Sequence, residues 1–383
     1  MSVKLRCLLM SPFAPPDPYN GDVQYTFDLL STPPADIEYV TYPEALARGE
    51  LEYGPSARAA ATWRAPAQSL PAAGARAALH LLRDVGLLLP DPVRWVRVCG
   101  TFDLVHVHCF PVRFLGPRPP VLISDSAGTY WYWTEVHHKP ARRVRRLLRR
   151  EGRVAHALKY LHPTAYPAGE GLVYFVQSGV TLAAQIGLDT SNATICAPGV
   201  PEPRHPRRSD GRTVLFVGRA FEDKGGPAAL AAFALVREAL PHARLLVAGP
   251  DRPPIVPPGV EWIGRVTRDQ LYDEVYPRAD VFLYPTRFDC APLVAQEALA
   301  HGQAVVTTRL MGMPDLVRDG ETGILFEPGD VTGAAAAVIS LLGDREALAR
   351  MQAAARADFE GRMSISHRNE VLGALYRSVA GVA

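Results

Sequence analysis

Thr213-Val214-Leu215-Phe216-Val217-Gly218-Arg219-Ala220-Phe221-Glu222-Asp223-Lys224-Gly225-Gly226 reads as a strand, a polar loop and the entry to a helix. Residues 213–218 have the short apolar run of a buried strand, and residues 227–240 carry helical periodicity. The loop between them holds one of only four lysines in the 383-residue chain, where 37 of 41 basic residues are arginine. Lysine is a compact, rotatable point charge, whereas arginine is a planar fork. A Gly-Arg to Lys-Gly loop joining a strand to a helix makes a cradle for a diphosphate. The same residues also suit an ordinary solvated turn.

Outward from this loop the alternation continues. Strands are expected at 244–249, 280–284 and 304–307, and helices at 268–276, 292–301, 331–342, 345–358 and 364–379. Thr267 with Gln270 resembles a capping box, and Pro227 and Pro292 suit first-turn positions. Towards the N-terminus, strands are expected at 5–10, 37–41, 103–108, 121–124 and 172–176, with helices at 22–30, 77–88 and 142–161. Residues 43–75 are rich in Ala, Pro and Gly and give no clear pattern. Residues 197–211 contain four prolines and little apolar bulk, which suits a linker. Alternating strands and helices imply parallel sheets covered on both faces. The expected fold is therefore α/β, with two doubly wound Rossmann-like domains facing a central cleft. The boundaries are 1–200, a linker at 201–212, 213–362, and a C-terminal helix at 363–383 that returns to the first domain. Ligands of such sheets bind beyond the carboxyl ends of the strands.

Composition narrows the function classes. With 48% apolar and 21% charged residues and a net charge of +2, the chain lacks the basic excess of a dedicated nucleic-acid binder. Its five cysteines are scattered, with no metal-ligand spacing and no disulfide framework. No apolar run reaches the ~18 residues of a membrane span, and no secretory signal is read at the N-terminus. A reduced, cytoplasmic protein is expected. A Gly-x-Gly-x-x-Gly after the first strand, which a nicotinamide or flavin site would favour, is absent.

Three strand-end loops carry the chemistry: Gly218-Arg219 to Lys224, Gly264-Arg265-Val266, and Pro285 to Gly302. In the third, Asp289 precedes a helix whose free N–H groups at about 291–294 can receive a phosphate. Glu297 lies about one and a half turns further on. The segments Phe216-Val217-Gly218-Arg219…Lys224-Gly225, Ala279-Asp280-Val281-Phe282-Leu283-Tyr284-Pro285-Thr286, the acidic pair flanking Leu293–Gln296, and Glu321-Thr322-Gly323-Ile324-Leu325-Phe326 follow in a specific order. This region resembles the donor-binding domain of the retaining glycosyltransferases of family four, which have the GT-B fold. The N-terminal half is similar more loosely, through residues 103–108, Gln177-Ser178-Gly179 and Ala197-Pro198-Gly199-Val200.

The resemblance implies that Arg219 and Lys224 contact a donor diphosphate, that Asp289 holds a hydroxyl of the transferred sugar, and that Glu297 holds the ribose. Gly218, Cys290, Ala291, Pro292, Leu293 and Val294 line the donor, with the backbone near Val266 at the nucleobase. It implies no metal and no cofactor, since positive charge and helix N–H groups stand in for a cation at the diphosphate. Two departures are visible. Asp289 stands where the family usually has Glu, and Ser124-Asp125-Ser126 stands where it often has a His. Asp125 either acts on the sugar or acceptor, or caps a turn. His106 and His108 share one face of a strand and read as packing residues, with His108 also a candidate on the acceptor side. Gly21 and Asp22 match the family's glycine loop, and Asp22 equally suits a helix cap. The expected reaction moves a sugar from a UDP- or GDP-sugar to a hydroxyl of a glycan, glycolipid or small natural product, with retention. The alternatives are a non-hydrolysing nucleotide-sugar epimerase and a non-catalytic nucleotide-sugar-binding protein.

Lys139–Arg153 holds eight basic residues and one acidic, after Trp131-Tyr132-Trp133. Val144, Leu147, Leu148, Ala155 and Leu158 form an apolar stripe opposite the arginines. One reading is peripheral contact with the anionic inner face of a membrane. The other is a solvated helix that packs its stripe into the domain.

Overall fold

The computed structural model describes residues 4–11, 21–54, 94–109, 112–126, 140–157, 171–208, 210–251, 253 and 255–382. The chain divides into two compact α/β units. One is Met1–Phe175 with Gly179–Ile195 and Asn369–Ala383, and the other is Val176–Ser178 with Cys196–Arg368.

In chain order the first unit's strands are β1 (Leu5–Met10), β2 (Ile37–Thr41), β3 (Leu51–Tyr53), β4 (Arg94–Val98), β5 (Leu104–His108), β6 (Val112–Phe114), β7 (Val121–Asp125), β8 (Gly171–Tyr174) and β9 (Ala193–Ile195). The main sheet runs β2-β1-β5-β7-β8-β9 and is parallel throughout, and β3-β4-β6 make a separate small sheet. Its helices are α1 (Gly21–Ser31), α2 (Tyr42–Ala47), α3 (Ala141–Ala157) and α4 (Gln177–Ile186). The second unit has β10 (Thr213–Val217), β11 (Arg244–Ala248), β12 (Val260–Gly264), β13 (Val281–Tyr284), β14 (Ala304–Thr308) and β15 (Gly323–Phe326). These form a second parallel sheet in the order β12-β11-β10-β13-β14-β15. Its helices are α5 (Gly226–Ala239), α6 (Leu293–Ala300), α7 (Met313–Leu316), α8 (Val331–Gly343) and α9 (Arg345–Arg362), and α10 (Ile365–Ala380) follows. From Asn369 onwards α10 counts with the first unit.

Three expectations need correction. The proline-rich stretch 197–211 is not a free linker but part of the second unit. It docks through charge: Arg204 pairs with Asp269 and Asp273, Arg207 donates to the Gly302 carbonyl at 3.1 Å, and Asp210 pairs with Arg244. Segment 268–276 is not one α-helix. It opens with a helical turn at Arg268–Gln270, widens into a π-turn at Leu271–Val275 and tightens over Tyr276–Arg278. Pro277 has no N–H with which to continue a regular helix, and the wide turn buries Leu271, Tyr272 and Val275. Pro292 is the residue that caps α6 rather than its first turn, whereas Pro227 does sit at the start of α5. The helix expected at 77–88 lies outside the described residues.

Both strand histidines are buried, as their shared face suggests. His106 Nε2 and His108 Nδ1 each lie 2.8 Å from the Ser124 hydroxyl on β7. The other His106 nitrogen, Nδ1, meets the Tyr376 hydroxyl at 2.8 Å, and Tyr376 meets Tyr39 at 2.7 Å. This chain of five polar side chains ties α10 to β2, β5 and β7. Burial, with His108 beside it, pushes the His106 imidazole down from 6.5 to about 3. The ring is neutral when folded and binds a proton below about 6.5 when unfolded. Stability is therefore complete above that value and falls as pH drops towards 3, by about 1.4 kcal/mol per pH unit. We expect the urea midpoint to decline between about pH 6.5 and 5, before most carboxylates titrate. His106→Gln should remove that slope. An unchanged slope in the variant would show that other groups cause it.

Candidate active site

Strand order in the second sheet reverses between β10 and β13, which pair directly although β11 and β12 separate them in sequence. Such a reversal leaves a crevice beyond the carboxyl ends, where ligands of doubly wound sheets bind. Lys224 follows β10 and Asp289 follows β13, so the two sequence-derived candidates converge at this point.

The two loops are joined backbone to backbone. The Arg287 N–H donates to the Asp223 carbonyl at 3.0 Å. Gly225, at φ +78°, comes so close that a β-carbon would lie 1.8 Å from the Pro285 carbonyl oxygen. Both the left-handed backbone and the contact require glycine. The Lys224 stem runs over Gly218, where a β-carbon would meet Lys224 Cβ at 2.8 Å. From there Lys224 Nζ donates to Asp289 Oδ2 at 2.5 Å and to the Phe288 carbonyl at 3.3 Å. The Tyr284 hydroxyl, at the end of β13, donates to the same Oδ2 at 2.7 Å. Burial, then the Asp289 carboxylate, holds the Tyr284 phenol well above its ordinary value, so it remains a neutral donor. Both bonds end on Oδ2, which orients Oδ1 for a further partner. Lys224 keeps 28% side-chain exposure, and Arg219 in the same loop is exposed.

Behind Asp289 the chain enters α6. Cys290 and Pro292 are buried, while Ala291, Leu293 and Val294 are half-buried. The opening N–H groups of an α-helix have no carbonyl partner within it, so this end suits an anion. Gly312, in the loop after β14, packs on the Cys290 carbonyl, 1.8 Å from where its β-carbon would be. Glu297 is buried. Its side chain is 4% exposed, Oε1 accepts from Arg268 Nε at 3.1 Å and Oε2 accepts from the Tyr276 hydroxyl at 2.9 Å. Each carboxylate oxygen can accept a second bond, which leaves capacity for diol hydroxyls. Tyr276 is itself fixed by stacking on His301, with ring centroids 4.8 Å apart. Val266 is half-buried just before the capping box, in which Thr267 N–H donates to Gln270 Oε1 at 2.9 Å and Gln270 N–H to Thr267 Oγ1 at 3.2 Å.

The remaining candidates belong to the first unit. Gly21 and Asp22 open α1. Asp125 is the buried last residue of β7, with the Cys109 thiol 3.9 Å away. His108 ends β5 in the hydrogen-bonded chain described above. Sequence reasoning missed Tyr284, Tyr276, Arg268 and Gly312. A tyrosine closing an apolar strand was a usable signal for Tyr284. Arg268, 29 residues from Glu297, gave none.

The family model of glycosyl transferases group 1 matches residues 211–344. A glycogen synthase of Mycobacterium tuberculosis is 31% identical over 185 residues, covering 44% of each chain. The chain thus spans less than half the length of the curated relatives it matches. Among solved structures, a sucrose-phosphate synthase from Thermosynechococcus elongatus superposes with a TM-score of 0.63 at 17% identity, over 99% of this chain and 100% of that one. Anabaena HepE, solved with UDP-glucose, gives 0.59 at 13% identity over 98% and 100%. Identities this low speak for the fold alone.

Proposed function

We propose, from the premise that residues 211–344 form a glycosyl transferases group 1 domain in a chain of the GT-B fold, that this protein transfers a sugar from a nucleotide-diphosphate sugar to an acceptor hydroxyl with retention of configuration. The observation that carries the reading is the meeting of Lys224, Asp289 and Tyr284 at the reversal of strand order, beside the first turn of α6.

Each residue then has a distinct task. Lys224 and Arg219 offset the charge that grows on the departing diphosphate, and the opening N–H groups of α6 accept part of it. Asp289, its Oδ2 held by Lys224 and Tyr284, presents Oδ1 to a sugar hydroxyl. Glu297, held from behind by Arg268 and Tyr276, receives the ribose hydroxyls. Gly21, Asp22, His108 and Asp125 are assigned to the sugar or acceptor side. The donor class is a UDP- or GDP-sugar. The acceptor is a glycan, a glycolipid or a small natural product.

The test is a thermal-shift series with nucleoside mono- and diphosphates and nucleotide sugars. A ligand at 100 times its dissociation constant should add about 2.7 kcal/mol of stability. Absence of stabilisation by every nucleoside diphosphate would defeat the donor assignment. Donor turnover without acceptor would instead indicate an epimerase. Because side-chain and helix charges serve the diphosphate, transfer should persist at full rate after exhaustive EDTA treatment. A loss restored by Mg2+ or Mn2+ would refute metal independence.

A further inference from the structure

In α3 the apolar stripe and the arginines have separate fates. Val144 and Leu148 are buried against Leu182 of α4, so these two members of the stripe hold the helix to its unit; Leu147 is half-buried, and Leu158 lies outside the described residues. Arg142, Arg143, Arg146 and Arg149 are exposed on the opposite side. Arg149 is committed to the Gln185 carbonyl at 2.5 Å. Arg142, Arg143 and Arg146 make no ion pair among the described residues. The helix contains seven arginines and one glutamate, whereas the whole chain is only +2. The rest of the chain is therefore net negative. The supporting helix α4, Gln-Ser-Gly-Val-Thr-Leu-Ala-Ala-Gln-Ile, contributes no acid beneath the arginines.

We infer that the outer face of α3 is a docking surface for an anionic phospholipid bilayer, held by charge and without insertion of the helix. The exposed Arg142, Arg143, Arg146 and Arg149 lie within about two turns, roughly 10 Å of helix, and offer a compact basic patch to a plane of phosphates. A net-negative body behind the patch would be turned away from that plane. The same body opposes wrapping by nucleic acid, whose binders carry their basic excess more widely. Val144 and Leu148 are taken up by α4 and so are withheld from the bilayer, unlike the apolar face of an inserted amphipathic helix. The contact should therefore follow surface charge and salt, not lipid packing or curvature. No helix among the described residues is long and apolar enough to cross a membrane. The inference stands apart from the donor site and survives if that assignment fails.

The experiment is co-sedimentation of the full chain with vesicles of phosphatidylcholine alone or mixed equally with phosphatidylglycerol. Binding is expected only to the mixed vesicles, and should be abolished near 1 M salt, where the screening length is about 3 Å. The triple variant R142Q/R143Q/R146Q should bind them roughly 100-fold more weakly, with an unchanged melting temperature, since none of the three supports the fold. Equal binding by the variant, equal binding to phosphatidylcholine vesicles, or tighter binding to a random DNA duplex than to the mixed vesicles would overturn the proposal.

Discussion

Lys224→Ala is expected to lower sugar transfer about 100-fold or more, the loss typical of removing one charge-stabilising donor. The effect should fall on kcat more than on donor affinity, because charge on the diphosphate grows as the bond to the sugar breaks. Arg219→Ala should behave similarly. The two differ in what else they disturb. Arg219 is exposed, whereas Lys224 also compensates Asp289, whose carboxylate is 16% exposed. Lys224→Ala should therefore cost some stability as well, and Arg219→Ala very little. Steady-state kinetics with matched melting curves separate the two contributions. Near-normal turnover in both variants would remove the diphosphate from this loop.

The second large effect concerns backbone. Gly225→Ala would place a methyl group 1.8 Å from the Pro285 carbonyl at a residue with φ +78°. The clash is with main chain, so no side-chain rotation relieves it. Left-handed strain and overpacking together should cost about 2–5 kcal/mol, lowering the melting temperature by on the order of 10 °C. Transfer should fall too, since relief of the clash moves the loop that carries Lys224 away from Asp289. A variant that melts within a degree or two of the parent would mean that the β10 and β13 loops are not held against each other as described.

The second sheet was legible because its strands announce themselves. Residues 213–217, 281–284 and 304–308 are buried throughout, and a strand covered on both faces reads as a near-continuous apolar run. Their observed ends fall within a residue or so of those read from the sequence. Edge strands obey a weaker rule. β12 is half-buried and includes Glu261 and Trp262, and β15 has four residues with two glycines close by. Neither was identified as a strand. The three short strands of the small sheet, scattered from Leu51 to Phe114, were missed for the same reason. Docking of residues 197–211 by ion pairs was equally invisible to a reading based on apolar bulk.

At the site, the motif residues were legible because they cluster in loops that follow strands. What positions them was not. Arg268 and Tyr276 reach Glu297 from 29 and 21 residues away, through an irregular turn that local periodicity reads as plain helix. Asp289 was assigned to a sugar and Lys224 to a diphosphate, yet the two form an ion pair with each other. A donor that engages both must share or displace that pair. Only the pairing of β10 with β13, a long-range event, brings the two loops together.

The fastening of α10 bears on the order of synthesis. His106, Ser124 and Tyr39 are translated early, whereas their partner Tyr376 emerges only after the whole second unit has been made. Until then the buried hydrogen-bonded chain of the first unit lacks its Tyr376 link between His106 and Tyr39. The unit that begins first is thus the unit that finishes last. A ribosome stalled anywhere between residues 196 and 368 presents a nascent chain whose earlier half has not reached its final packing.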